Sequence, residues 1–166
     1  PLATAKIRII KLLFPHAKII FALRHPCDVV LSCFMQPFKV NIASVNFYSL
    51  EETTKIYQLV MDLWQQNQQQ LGLPIHYVHY EDLVKAFEDQ VKQVLDFLGL
   101  DWNERLTSFH QHAQSRDLRT ASSRQVTQPL YKTALARWQR YKKHLNPHIL
   151  MLQPYIDAFG YSSDKN

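Results

Sequence analysis

The chain has 166 residues, of which 46% are hydrophobic and 20% are charged, as in an ordinary globular domain. No apolar run approaches the roughly 20 residues that a membrane span requires, and no signal segment opens the chain, so no membrane partner is expected. The 19 Lys and Arg against 14 Asp and Glu give a net charge of +5. This balance favours an anionic partner, such as a nucleotide, a nucleic acid or a sulfated or phosphorylated substrate.

The two cysteines, Cys27 and Cys33, lie six positions apart on one predicted helix and therefore face in different directions. They form no disulfide framework, and no other residues have the spacing of a metal site, so neither a disulfide nor a metal is expected. A reducing, cytoplasmic compartment fits this cysteine content best.

Apolar periodicity, caps and breakers predict a chain of helices with two short strands. Helices are expected at 2–13, 87–98, 103–109, 131–145 and 147–159. One further helix is expected to begin at residue 26, and another to begin with the capping box at 49–52 and end at residue 72. The runs 19–23 and 75–79 are predicted strands, and the first has the pattern of a strand covered on both faces. Residues 110–129 lack periodicity and are polar and basic, which is typical of a functional or mobile loop.

This order of elements predicts an α/β fold with a small parallel sheet flanked by helices, in one domain over 1–166. Two strands make a thin sheet. Part of the sheet is therefore expected to lie upstream of residue 1.

Arg24 follows the first predicted strand, where open α/β sheets bind their ligands. If a helix begins at Pro26, Ser32 lies about 9 Å along its axis, so a guanidinium fork and a hydroxyl would converge on one anion. The alternative is that Arg24 pairs with Asp28 and that Ser32 is only small enough to pack. The residues by themselves do not decide between the two.

Tyr80 follows the second strand and is expected at the same sheet edge as Arg24, where its ring would stack on a base. The alternative is a tyrosine half-buried under the next helix, with Glu81 and Asp82 complementing the helix dipole.

The segment 122–132 supplies hydroxyls, amides and cations that can fold over an anionic ligand. The alternative is that this segment is only a solvated basic connection. His110 and His112 are candidate acid–base groups, although surface histidines are the simpler interpretation. No glycine-rich phosphate loop of the GxxxxGK[ST] or GxGxxG type occurs.

Three motifs in this order resemble the carboxyl-terminal portion of a PAPS-dependent sulfotransferase domain, with a P-loop-NTPase-like fold. The resemblance is closest to the tyrosylprotein sulfotransferase-like branch, which includes bacterial enzymes with upstream tetratricopeptide repeats. The motifs are LFPHAKIIFALRHPCDVVLSCF at 13–34, VHYEDLV at 78–84 and SSRQVTQPLYKTALARW at 122–138.

The resemblance implies a role for each matching residue. Arg24 and Ser32 would bind the 3′-phosphate of the donor, and Tyr80 would contact its adenine. Ser122 would lie near the bridging and leaving phosphate oxygens and have a catalytic role. The stretch 125–132 would close over the nucleotide, and Arg137 would add a cationic contact. The donor-binding residues in that part of the chain are Ser122, Gln125, Val126, Tyr131, Lys132 and Arg137.

The resemblance also implies the reaction and its parts. PAPS would be the donor, 3′,5′-ADP the product, and the acceptor a hydroxyl of a protein tyrosine, a carbohydrate or a small molecule, without a metal. The family's PRSGTT-like loop for the 5′-phosphosulfate and its acidic base would lie upstream of residue 1, so the chain by itself would not turn over. Gln36 occupies a position where that branch often has an arginine.

The sequence is also compatible with two other hypotheses. One is a non-catalytic module that binds a nucleotide or a polyanion through the basic segment, although nucleic acid is a less favoured partner. The other is a structural remnant that binds nothing.

Overall fold

In the computed structural model, which describes residues 2–39, 41, 44–108 and 132–162, a parallel sheet forms the framework. Its strands are β1 (Ile19–Leu23) and β2 (Ile75–His79). They pair without offset, from Ile19 opposite Ile75 to Leu23 opposite His79. Both strands therefore end at the same edge, and this confirms the predicted small parallel sheet flanked by helices.

Helices flank this sheet, and most of them lie where the sequence predicts a helix. The α-helices are α1 (Ile7–Leu13), α2 (Pro26–Met35), α3 (Leu50–Leu71), α4 (Tyr80–Lys85), α5 (Phe87–Leu98) and α6 (Lys142–Ala158). Short 3₁₀ helices cover Leu2–Lys6, Ser44–Phe47, Glu104–Ser108, Lys132–Ala134 and Arg137–Tyr141.

The N-cap that the predicted capping box places at the start of α3 is confirmed. The Ser49 hydroxyl accepts the Glu52 backbone N–H at 3.1 Å, which satisfies one of the unpaired donors of the first turn. At the other end, Gly72 has φ +55°, a left-handed conformation that glycine adopts without steric cost.

The prediction that β1 is covered on both faces is wrong for the part of the chain that the structure describes. Phe21 and Leu23 are buried, whereas Ile20 is 45% exposed and Ala22 is exposed as well. The covered face lies against α3, where the Phe21 ring stacks on Trp64 with centroids 3.9 Å apart. On the opposite face, the Phe97 ring of α5 stacks on His76 of β2 with centroids 5.3 Å apart, while the Ile20 and Ala22 side chains of β1 remain exposed.

The two closing helices predicted at 131–145 and 147–159 are also wrong, because one helix, α6, runs through Pro147 and Pro154. A proline inside a helix removes one backbone hydrogen bond and crowds the preceding turn. Burial offsets that cost, since Leu145, Leu152 and Ile156 are fully buried in the core on either side of the prolines. The predicted loop at 110–129 lies outside the described residues.

The stretch predicted as a short helix at 103–109 is a 3₁₀ helix over Glu104–Ser108, and α4 is a separate helix that the periodicity did not predict. Within the described ranges, no helix has both the length and the apolar character that crossing a membrane requires.

The contribution of α6 to stability is tested by two leucines on that helix. Leu152→Ala is expected to lower the free energy of unfolding by about 3 kcal/mol, because it opens a cavity at a fully buried position. Leu150→Ala is the matched control, since that side chain is 83% exposed, and its effect is expected to stay within about 0.5 kcal/mol. Urea denaturation measures both, and equal losses would contradict the packing of α6.

Candidate anion-binding site

Arg24 follows β1 directly, and three groups surround its guanidinium. One Nη2–H donates to the Ala134 carbonyl oxygen at 2.6 Å, and the guanidinium carbon lies 4.9 Å from the centroid of the Tyr80 ring. Nη2 also lies 3.6 Å from Asp28 Oδ2, which is an ion pair without a hydrogen bond. The predicted meeting of Arg24 and Tyr80 at one sheet edge is therefore confirmed.

Two buried polar atoms at this point have no hydrogen-bond partner among the described residues. They are the donor Nε of Arg24 and the acceptor Oδ2 of Asp28. A buried donor without an acceptor costs about 1–3 kcal/mol, and for a charged group the cost is higher. Such an atom is retained more easily where a ligand supplies the missing acceptor.

Asp28 connects this arginine to a distant part of the chain. Its side chain is 1% exposed, and Oδ1 accepts the Trp138 backbone N–H at 2.8 Å. Burial raises the pKa of the Asp28 carboxyl, while the Arg24 guanidinium and the Trp138 N–H oppose that rise. The ion pair of Arg24 with Asp28, one of the two sequence interpretations, thus exists, and Arg24 has further contacts besides it.

Ser32 lies on α2, four residues after Asp28 and so on the same face of the helix, one turn further along. Its side chain is half-buried. Arg24 also lines a groove of about 270 Å³ that runs along β1, with Tyr57 and Met61 on its α3 side.

The other predicted residues fall into two groups. Arg137 begins a 3₁₀ helix and is exposed, and Lys132 begins the 3₁₀ helix that contains Ala134. The remaining predicted residues lie outside the described part of the chain, and they are Ser122, Gln125, Val126, Tyr131, His110 and His112.

Sequence reasoning missed the role of His25, which is 7% exposed beside Arg24. Its Nδ1 accepts the Cys27 N–H at 3.2 Å and so caps α2. Because Nδ1 is the acceptor, Nε2 carries the proton and donates to the Ser162 carbonyl at 3.0 Å. Burial lowers the pKa of this imidazole below its ordinary value of 6.5, which favours the neutral form. The sequence signal that could have indicated this capping role is the position of His25 directly before a proline at the start of a helix.

Glu81 was expected only to complement a helix dipole, and it does lie in the first turn of α4. It also accepts the His25 backbone N–H at 3.0 Å and the Tyr161 hydroxyl at 2.8 Å. The sheet edge and the end of the described chain are therefore joined by hydrogen bonds at half-buried groups.

This arrangement is suited to bind an anion. A half-buried guanidinium with a donor to spare, next to an aromatic ring, is a combination that recognises phosphate or sulfate groups. Cys27 is fully buried, and burial raises the pKa of its thiol to about 12, which disfavours the reactive thiolate. Among the described residues, no cluster of three or more His, Cys, Asp or Glu is placed to bind a metal ion.

The fold and the site thus define an α/β protein with a half-buried arginine at the carboxyl edge of a parallel sheet, whose Nε has no partner among the described residues. A protein-family model described as the sulfotransferase family matches residues 1–104, which include Arg24, Ser32 and Tyr80. The chain belongs to the sulfotransferase family.

A relative in Aquifex aeolicus (strain VF5), described as an uncharacterized protein, is 28% identical over 149 residues. The match covers 87% of this chain and 19% of that protein, so the chain spans about a fifth of the length of the curated relative it matches.

The ion pair is tested by the pH dependence of an arginine variant. Arg24→Ala is expected to lower the free energy of unfolding by about 3 kcal/mol at neutral pH, because a buried carboxylate loses its cation. Without Arg24 the pKa of Asp28 rises further, so ionisation of Asp28 costs more above its wild-type pKa. The loss of stability caused by Arg24→Ala should therefore shrink as pH falls through the further-raised pKa that Asp28 has in the variant. Denaturation at several pH values measures it, and a deficit independent of pH would contradict the pairing.

The neutral state of His25 has a second consequence for stability. The unfolded histidine takes up a proton near its ordinary pKa of 6.5, and the folded one only at lower pH. The stability contributed by neutral His25 is thus fully present above pH 6.5 and is lost as pH falls below it. His25→Asn should reduce the loss of stability between pH 7 and 5. His144→Asn, at an exposed position, is the control and should leave that loss unchanged.

Proposed function

We propose that the intact protein transfers a sulfuryl group from PAPS to an acceptor hydroxyl, and that this chain binds the 3′-phosphate and adenine side of the donor. The observation that carries the proposal is the buried Arg24 Nε, a cationic donor that lacks a partner among the described residues and adjoins the Tyr80 ring. Membership of the sulfotransferase family favours this function over a non-catalytic polyanion-binding module.

Arg24 retains donors for a phosphate despite its present contacts. A guanidinium has five N–H donors, and the Ala134 carbonyl accepts from Nη2 alone. A 3′-phosphate would bind Nε and the remaining donors as a fork, at the end of the groove along β1. In the proposed complex, the Ser32 hydroxyl donates to the same phosphate from the following turns of α2.

Tyr80 supports an adenine at the same edge. Stacking of a base on an aromatic ring contributes about 1–3 kcal/mol and requires no base-specific hydrogen bond. The ring lies beside Arg24, so an adenosine 3′-phosphate would contact both residues at once.

The Ala134 contact supports closure of the preceding segment over the nucleotide. Ala134 follows the stretch 125–132 by two residues, and its carbonyl binds Arg24 directly. In the proposed site Gln125, Val126, Tyr131 and Lys132 cover the donor, and Arg137 adds a cationic contact. Ser122 is the proposed catalytic residue, beside the bridging and leaving oxygens.

The reaction is an in-line displacement at sulfur. The acceptor oxygen forms a bond to sulfur while the bond from sulfur to the 5′-phosphate oxygen breaks, and 3′,5′-ADP leaves with that electron pair. The acceptor proton passes to a general base. That base and the 5′-phosphosulfate loop are expected outside 1–166, so the intact protein should turn over and this chain alone should not. The acceptor is a hydroxyl of a protein, a carbohydrate or a small molecule.

Calorimetric titration of the intact protein with 3′,5′-ADP and with 5′-AMP tests the donor site. We expect 3′,5′-ADP to bind more tightly, because only it carries the 3′-phosphate. Arg24→Lys keeps a cation for Asp28 but lacks the fork. It should weaken 3′,5′-ADP binding by about ten- to a hundredfold, with little change for 5′-AMP.

Arg140→Ala is the matched control, since Arg140 is an exposed cation of the basic segment. We expect it to change 3′,5′-ADP binding by less than about twofold. A polyanion-binding module would instead lose affinity comparably at Arg140 and Arg24, with a log–log linear dependence on salt for any polyanion. Equal affinity for the two nucleotides would overturn the proposal.

A further inference from the structure

Asp28 is the point at which two distant parts of the site meet. One carboxylate oxygen accepts the Trp138 N–H, and the other lies 3.6 Å from the Arg24 guanidinium. Arg24 in turn donates to Ala134, four residues before Trp138. The end of β1, helix α2 and the segment 134–138 thus contact one another around the Asp28 carboxylate, which is 1% exposed.

We propose that Asp28 is the positioning residue of the anion site: it sets the direction of the Arg24 guanidinium and, through the Trp138 amide, fixes the turn whose Ala134 carbonyl binds that guanidinium. The proposal rests on the proposed function, since it assigns to Asp28 the geometry of the 3′-phosphate contact. Asp28 does not touch the nucleotide and acts only through Arg24 and the turn.

The turn at 134–138 needs such an anchor. Ala136 has φ +48°, a left-handed conformation that costs a non-glycine residue about 1 kcal/mol. Strained backbone persists only where surrounding contacts fix it. The contacts on either side of Ala136 are the Ala134 carbonyl on Arg24 and the Trp138 amide on Asp28, and both lead to the same ion pair.

The contacts of Arg24 also show why a carboxylate is needed. Ala134 and Tyr80 contact the guanidinium, but neither carries a charge that fixes its orientation from the α2 side. Asp28 lies four residues on, in the first turn of α2, and Ser32 follows on the same helix face. In the proposed site, Asp28 therefore orients the Arg24 guanidinium towards the face of α2 that also carries Ser32, whose hydroxyl would donate to the same phosphate.

A double-mutant cycle on nucleotide affinity tests the action through Arg24. In the intact protein, Asp28→Asn is expected to weaken 3′,5′-ADP binding about tenfold and to change 5′-AMP binding by less than about twofold. In an Arg24→Ala background the same substitution should change 3′,5′-ADP binding by less than about twofold, since the group it positions is gone. Equal effects of Asp28→Asn with and without Arg24, in folded variants, would overturn the proposal.

Hydrogen exchange tests the turn without any nucleotide. Mass spectrometry of peptides spanning 134–141 in the intact protein should show at least about tenfold faster exchange in Asp28→Ala. The isosteric Asp28→Asn, which retains an acceptor for the Trp138 amide, should exchange more slowly than Asp28→Ala. Asp62 provides the control in both measurements, because it accepts the Tyr155 hydroxyl from α6 and does not contact Arg24. Asp62→Asn is the control for the affinity cycle, and Asp62→Ala is the control for hydrogen exchange.

The two measurements separate the proposals. If wild-type protein shows no preference for 3′,5′-ADP over 5′-AMP, the proposed function fails. The exchange comparison still decides whether Asp28 fixes the turn. If the preference exists but Asp28→Asn leaves it intact, or exchange in Asp28→Ala matches that in Asp62→Ala, the function stands and Asp28 is not its positioning residue.

Discussion

The site depends on one buried charge, the carboxylate of Asp28. A carboxylate at 1% exposure is costly unless charges and N–H donors surround it, and here it has the Arg24 guanidinium on one side and the Trp138 amide on the other. These two partners come from opposite ends of the chain. Satisfying the charge therefore requires that the end of β1, the start of α2 and the segment before α6 assemble together.

The parallel register determines which further groups meet there. Because β1 and β2 pair without offset, Arg24 and Tyr80 follow their strands at the same edge, and the guanidinium lies over the tyrosine ring. His25 and Glu81 each lie one residue further, and the His25 backbone N–H donates to the Glu81 carboxylate. Two short strands thus bring a cation, an aromatic ring, a neutral histidine and a carboxylate together without any glycine-rich loop. Each position is set by its distance from a strand end.

Sequence reasoning predicted what depends on local pattern. The strands, the N-cap at Ser49 and the meeting of Arg24 with Tyr80 follow from apolar runs, cap residues and the rule for parallel edges. It failed where tertiary contacts outweigh local propensity, as in the continuation of α6 through Pro147 because buried leucines flank it. The Trp138 amide on Asp28 could not be predicted, since a backbone donor 110 residues away leaves no pattern in the sequence.

The presence of Asp28 beside Arg24, the proposed anion-binding residue, argues for recognition by geometry and against general attraction of polyanions. At a separation of about 4 Å near a protein surface, two unit charges interact by about 4 kcal/mol, so a nearby carboxylate cancels much of the long-range field of Arg24. An anion that merely approaches this edge gains little. An anion that reaches the unpartnered Nε gains a direct, charge-assisted hydrogen bond at a partly desolvated donor. Affinity at this edge should therefore depend on where the ligand places its phosphate, a property expected of a donor site for one nucleotide.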